Sequence, residues 1–158
     1  MKILAILQNQ WFRDPEKARE IFERNPGKRN ELVKCFLFMR SKTGKRLERA
    51  LGEDLCESII WEEASPRIGG HASSNFGADP NHILNAVEKH QPNIVICFGK
   101  VAGEAVRILN LMVPVLYAPH PAARNNPMQE LKLLPDKIAE AAANIFTKKE
   151  SVRPAAGA

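Results

Sequence analysis

One stretch constrains the fold more than any other. Ile94-Val95-Ile96-Cys97-Phe98 is apolar at all five positions, and Gly99 and a helix-patterned segment follow it at once. A strand without a polar position needs cover on both faces, as the central strands of parallel sheets have. A helix leaving directly from its carboxyl end begins a βα unit. The chain is therefore expected to be an α/β protein with a mostly parallel sheet.

The other segments fit that expectation. Residues 2–7 read as a buried strand running into polar Gln8-Asn9-Gln10. Asp14-Pro15-Glu16 has the N-cap and first-turn proline order that opens a helix, and Asn25-Pro26-Gly27 closes it. Leu47, Ala50, Leu51 and Leu55 recur at helical spacing after the basic, aromatic segment around Cys35-Phe36-Leu37-Phe38-Met39. Ser58-Ile59-Ile60-Trp61 is a short β-prone run, and a Pro/Gly/Ser/Asn-rich loop covers 64–80. Helices are expected over 81–89, 101–109 and 130–146, with a last strand over 113–117.

At 158 residues the chain has the length of one domain, since chains usually split only beyond ~250 residues. Residues 1–147 are expected to form it, and 148–158, with little to bury, a flexible tail. No apolar run is long enough to span a membrane and no signal-peptide pattern opens the sequence, so a cytoplasmic protein is expected; it is taken to act as a monomer, although nothing in the sequence fixes the oligomeric state. Cys35, Cys56 and Cys97 are odd in number and widely spaced, and His71, His82 and His90 form no ligand array. Neither a disulfide framework nor a metal or other cofactor is expected.

Charge is unevenly placed. Residues 28–49 carry eight basic side chains against Glu31 and Glu48, while the rest of the chain is nearly neutral. A localised positive stretch suits a polyanion such as nucleic acid, although a solvated helix face has the same composition.

In a parallel sheet the residues following each strand meet at one edge, where ligands bind. Here those are Gln8-Asn9-Gln10, Glu62-Glu63, Gly99-Lys100 and His120. Three prolines stiffen the loop 118–127 and two of them flank His120, which presents the imidazole in few conformations. Such a group can donate to an oxygen that gains negative charge. Gly99-Lys100-Val101-Ala102-Gly103 matches no phosphate-binding glycine pattern and is read as close helix packing.

Four stretches in order carry a resemblance: Leu7-Gln8-Asn9-Gln10, Thr43-Gly44-Lys45-Arg46-Leu47, Ile96-Cys97-Phe98-Gly99-Lys100-Val101-Ala102, and Val115-Leu116-Tyr117-Ala118-Pro119-His120-Pro121. Together they resemble the uracil-DNA glycosylase superfamily over residues 3–146. That resemblance implies a three-layer α/β/α sandwich that flips a damaged base from DNA and hydrolyses its N-glycosidic bond. It implies that His120 stabilises the departing base and Asn9 orients the attacking water. Gln8, Gln10, Phe38 (or Phe36) and Trp61 would contact the base. Lys42, Lys45, Arg46, Arg124 and Asn125 would bind DNA, single-stranded or mismatched, the last two from a loop in the minor groove. No cofactor is implied.

The sequence departs from the family pattern at named places. No glycine precedes and no proline follows Asn9, whose neighbours are Gln8 and Gln10-Trp11. The second strand has no asparagine to read the base edge, and Ala122 stands where a serine is usual. These leave open a catalytically silent relative that binds nucleic acid or a base, and an unrelated small-molecule enzyme using Gly99 and Lys100. Phe76 in the 64–80 loop reads either as a local plug or as a wedge into DNA.

Overall fold

The computed structural model describes residues 1–9, 12–71 and 76–151. Gln10, Trp11 and the tail residues 152–158 therefore lie outside the described residues. Among the described residues are four strands, β1 (Ile3–Leu7), β2 (Ile60–Glu63), β3 (Ile94–Phe98) and β4 (Val115–Ala118), in one sheet of order β2-β1-β3-β4. Every pairing is parallel, with Ala5 opposite both Trp61 and Ile96, and Cys97 opposite Tyr117. All four strands thus end on the same edge.

The helices are α1 (Pro15–Arg24), α2 (Arg29–Arg40), α3 (Lys42–Leu51), α4 (Glu53–Ser58), α5 (Pro80–His90), α6 (Lys100–Leu109), α7 (Met128–Lys132) and α8 (Leu134–Ser151). Strand alternation divides the core between two layers. Ile3, Ala5, Leu7, Trp61, Ile96 and Phe98 pack under α2, α3, α7 and α8. Leu4, Ile6, Val95 and Cys97 pack under α5 and α6. The result is a three-layer α/β/α sandwich. β1 and β3 are buried at every position, as continuously apolar central strands require.

Several boundaries differ from the sequence expectation, each for a local reason. Residues 29–40 form a full helix where the sequence marked only an aromatic, basic stretch; Val33 and Leu37, four apart, are its buried stripe. The helix read from Leu47 to Leu55 is two, because Gly52 takes φ +85° and caps α3. The last helix divides at Leu133: Pro135 has no N–H to continue from α7 but is tolerated in the first turn of α8. α8 also runs to Ser151, beyond the boundary read at residue 147. No described helix is long and apolar enough to cross a membrane.

Candidate functional site

Four strand ends make the edge, and the structure equips them unequally. At β4 the chain leaves through Pro119, His120 and Pro121. The carbonyl of Ala118 accepts from the Gly99 amide at 2.8 Å, tying the last strand to the turn after β3. Gly99 has φ +86°, and a Cβ there would lie 3.0 Å from His120 Cβ, so only glycine lets the imidazole settle against this turn. The Ala123 amide donates to the His120 carbonyl at 2.9 Å. Arg46, from α3, donates to the Pro121 carbonyl at 2.8 Å. The loop is thus held by covalent stiffness on both sides of His120, by the turn after β3 and by α3.

Its protonation follows from one further bond. The Ala122 amide donates to His120 Nδ1 at 3.1 Å. A nitrogen that accepts carries the lone pair, so the ring proton sits on Nε2. Burial pushes the His120 pKa below its ordinary value, because little water is present to solvate an imidazolium. The side chain is thus a neutral Nε2–H donor.

Asn9 follows β1 on the same edge, separated from His120 by the end of β3. Its Oδ1 accepts from the Phe76 amide at a long 3.5 Å. The loop after β2 folds back to make that contact: Ala64 N–H bonds the Leu7 carbonyl at 2.6 Å, and Asp79 N–H the Ala64 carbonyl at 2.7 Å. Phe76 is half-buried, with the Arg67 guanidinium 5.7 Å from its ring centroid. Gln8 is half-buried beside Asn9, and Gln10 lies outside the described residues.

Trp61 is a core residue, which corrects its expected place at a base. It has no exposed surface, its indole N–H donates to the Cys56 carbonyl at 2.9 Å, and its ring stacks on Phe98 with centroids 5.9 Å apart. The strand period puts it beside Phe98 under the helices rather than at the edge. Phe38 meets Trp61 edge-on at 5.2 Å and Phe36 packs between Phe12 and Phe22, so both rings are occupied by packing.

The basic stretch divides as well. Arg29 pairs with Glu62 and Glu63, and Lys34 pairs with Glu57 at 2.7 Å, so those charges are answered within the chain. Lys42, Lys45 and Arg46 share one face of α3 and are exposed, with Arg46 reaching the histidine loop. Arg124 and Asn125 are exposed on that loop, whose ends are anchored by buried Pro121 and Pro127.

Glu62 and Glu63 are buried strand residues, not members of a polar loop after β2. Alternation sends Glu62 to the α5 side and Glu63 to the α2 side, and Arg29 reaches both around the edge strand. Arg29 Nε lies 3.1 Å from Glu62 Oε1 and its terminal nitrogen 3.6 Å from Glu63 Oε2. Asn30 Nδ2 donates to Glu62 Oε2 at 3.1 Å, and Asn30 Oδ1 meets His90 Nε2 at 2.8 Å. His82 Nε2 is 3.2 Å from Glu62 Oε1. Burial alone would raise the Glu62 pKa, but His82, the Arg29 charge and the Glu63 amide outweigh it and hold it low. Burial raises Glu63 well above the carboxylate range; the Arg29 charge opposes this without cancelling it, and Glu62 adds to it. Sequence reading missed this cluster, although two glutamates closing an apolar run were its signal.

A hollow of about 330 Å³ adjoins the edge on its other side, between α6 and β4. Gly99, Ala118 and Pro119 line it, whereas Asn9 and His120 do not. Cys56 and Cys97 are buried and their thiols pushed up to about 12, mainly by desolvation, while Cys35 is exposed on α2. No group of three or more His, Cys, Asp or Glu among the described residues is arranged to hold a metal ion.

Comparison of the chain with protein-family models, with curated proteins and with solved structures finds no match in any of the three.

Proposed function

We propose that the chain is a DNA glycosylase-like protein, acting as a monomer on DNA in base-excision repair. The observation that carries the reading is the neutral, immobilised His120 at the carboxyl edge of a parallel sheet. Hydrolysis of an N-glycosidic bond adds water to the sugar carbon, and the base departs with the bonding electron pair. Nε2–H donates to the base oxygen on which that charge gathers, and a donor fixed beforehand costs no reorganisation. Asn9, on the same edge, orients the water. Lys42, Lys45 and Arg46 hold phosphates, and Arg124 and Asn125 fill the place of the extruded nucleotide.

The test is incubation with single-stranded and duplex oligonucleotides carrying uracil, hypoxanthine or xanthine, followed by alkali. Strand breaks are expected with at least one lesion, and His120→Ala should slow them ~10²–10³-fold, the usual cost of losing one such donor. Because the neutral ring is the working form, the rate should stay flat down through the ordinary imidazole pKa of ~6.5. No cleavage of any lesion by a protein that still binds DNA overturns the reading.

One observation favours a second reading, a catalytically silent binder of nucleic acid. Asn9 Oδ1, the atom that would orient water, already faces the Phe76 amide. The same assay separates the two, since the silent relative binds the oligonucleotides and cuts none.

A further inference from the structure

The hollow between α6 and β4 has a use that the histidine edge does not absorb. Its floor is Tyr117, opposite Cys97 in the sheet and therefore on the α6 side. Tyr117 is 43 % exposed, the most open position of the edge strand β4. Gly103 makes the close approach possible, since a Cβ there would stand 3.2 Å from ring Cδ1. One turn later, the Arg107 guanidinium lies 4.8 Å from the ring centroid. Gly103 and Arg107 lie on one face of α6, so the helix braces one side of the tyrosine and the exposed part faces the hollow.

The rim decides what such a hollow holds. Lys100 and Arg107 are balanced by Glu104 and Glu130, and Lys100 already pairs with Glu104 at 3.7 Å. A rim without excess positive charge does not select a bare phosphate. A braced, half-exposed ring selects a flat partner, and the Glu130 carboxylate on the rim favours one that offers an amino edge. The volume of about 330 Å³ falls at the lower end of the roughly 300–1,000 Å³ of small-molecule sites. Through Ala118 and Pro119 the hollow borders the strand end that carries His120.

We propose that this hollow is a stacking site for an unpaired, amino-bearing nucleobase of a single strand, held on Tyr117. The nucleic-acid identity of the partner rests on the function proposed above; the stacking chemistry rests on the hollow itself. Base–aromatic stacking tolerates any sequence, and loss of one platform weakens binding by about 5- to 150-fold.

The experiment compares an adenine octanucleotide with an abasic octanucleotide of equal charge, by fluorescence anisotropy at fixed salt. The base-bearing strand should bind about tenfold more tightly. Tyr117→Leu should abolish that preference, while Tyr117→Phe, which keeps a ring, should retain it. A thymine octanucleotide, without an amino group, should bind more weakly than the adenine strand. Equal binding of base-bearing and abasic strands, or a preference that survives Tyr117→Leu, overturns the proposal. Deoxyadenosine monophosphate binding as tightly as the octanucleotide overturns the strand assignment in favour of a free nucleotide. The two readings fail separately: a Tyr117-dependent preference in a protein that excises nothing keeps this site and ends the excision reading. Excision without the preference does the reverse.

Discussion

The two ends of the sheet use polar residues in opposite ways. At β2, Glu62 and Glu63 are nearly all buried, and Arg29, Asn30 and His82 meet them. At β4, His120 is half-buried and its restraints come from backbone amides, prolines and a glycine, leaving Nε2–H to donate. Charge locked inside the chain serves the fold; an imidazole whose own ring is bonded only by a backbone amide keeps Nε2–H available. Both lie at strand ends, so position in a parallel sheet nominates a residue without assigning its use.

Breaking the β2 end should cost the most. Arg29→Ala removes the cation from two buried carboxylates, and taking one partner from such a cluster typically costs 3–5 kcal/mol. Here about 3 kcal/mol is expected, since Glu62 keeps His82 and Asn30, and Glu63 can stay protonated. Urea unfolding reads it; a loss below about 1 kcal/mol would show the cluster to be incidental. At the β4 end the largest effect comes from a backbone position. Gly99→Ala places a Cβ against His120 at φ +86°, and strained conformations of this kind cost about 1–3 kcal/mol. The variant should also release the imidazole, seen as a His120 pKa that rises towards the ordinary value in an NMR titration.

The same contrast explains what could be read in the sequence. Ile94 to Phe98 declared a central parallel strand because five apolar residues admit no exposed face. Asp14-Pro15 declared a helix start because capping is local, and Asp14 does accept from a first-turn amide; Asp79-Pro80 opens α5 in the same way, although both residues read as part of the preceding loop in the sequence. The stiffness of the His120 loop was legible because Pro119 and Pro121 are its immediate neighbours, whereas its packing against Gly99, 21 residues away, was not. Trp61 was misplaced because its role depends on Phe98 and Phe38, tens of residues away in both directions. Arg29 looked like surface charge for the same reason, its partners lying on a strand more than thirty residues later. What local chemistry sets, the sequence states; what a distant partner sets, only the folded chain reveals.

A smaller effect sharpens the comparison at the β4 end. Arg46→Met keeps the stem of the side chain but removes the bond to the Pro121 carbonyl. The expected loss is about 1 kcal/mol, a usual net value for one hydrogen bond. Because Arg46 also belongs to the exposed face of α3, a matched Lys45→Met variant separates loop anchoring from phosphate contact. Both should lower the salt dependence of DNA binding by about one phosphate, and only Arg46→Met should destabilise the fold. Equal stability of the two variants would show that the loop stands without its anchor.

The smallest effect concerns pH and the other end. Glu63 has a folded-state pKa raised by burial, so the folded chain holds its proton more tightly than the unfolded chain does. The stability this confers is full below the unfolded carboxyl value of ~4.3 and is lost as pH rises through the folded value. Glutamine cannot ionise and so carries no such loss. Glu63→Gln should therefore match the parent near about pH 4 and become progressively more stable relative to it as pH rises. Glu62 has the opposite sign: its pKa is held down, so its contribution is lost as pH falls through that low value. That slope is present in both proteins and largely cancels in the difference. Urea unfolding of the pair across about pH 4–8 reads the result directly. Parallel stability curves would mean that Glu63 is ionised beside Arg29, making the β2 end an ordinary ion pair rather than one charged and one neutral carboxyl sharing a single guanidinium.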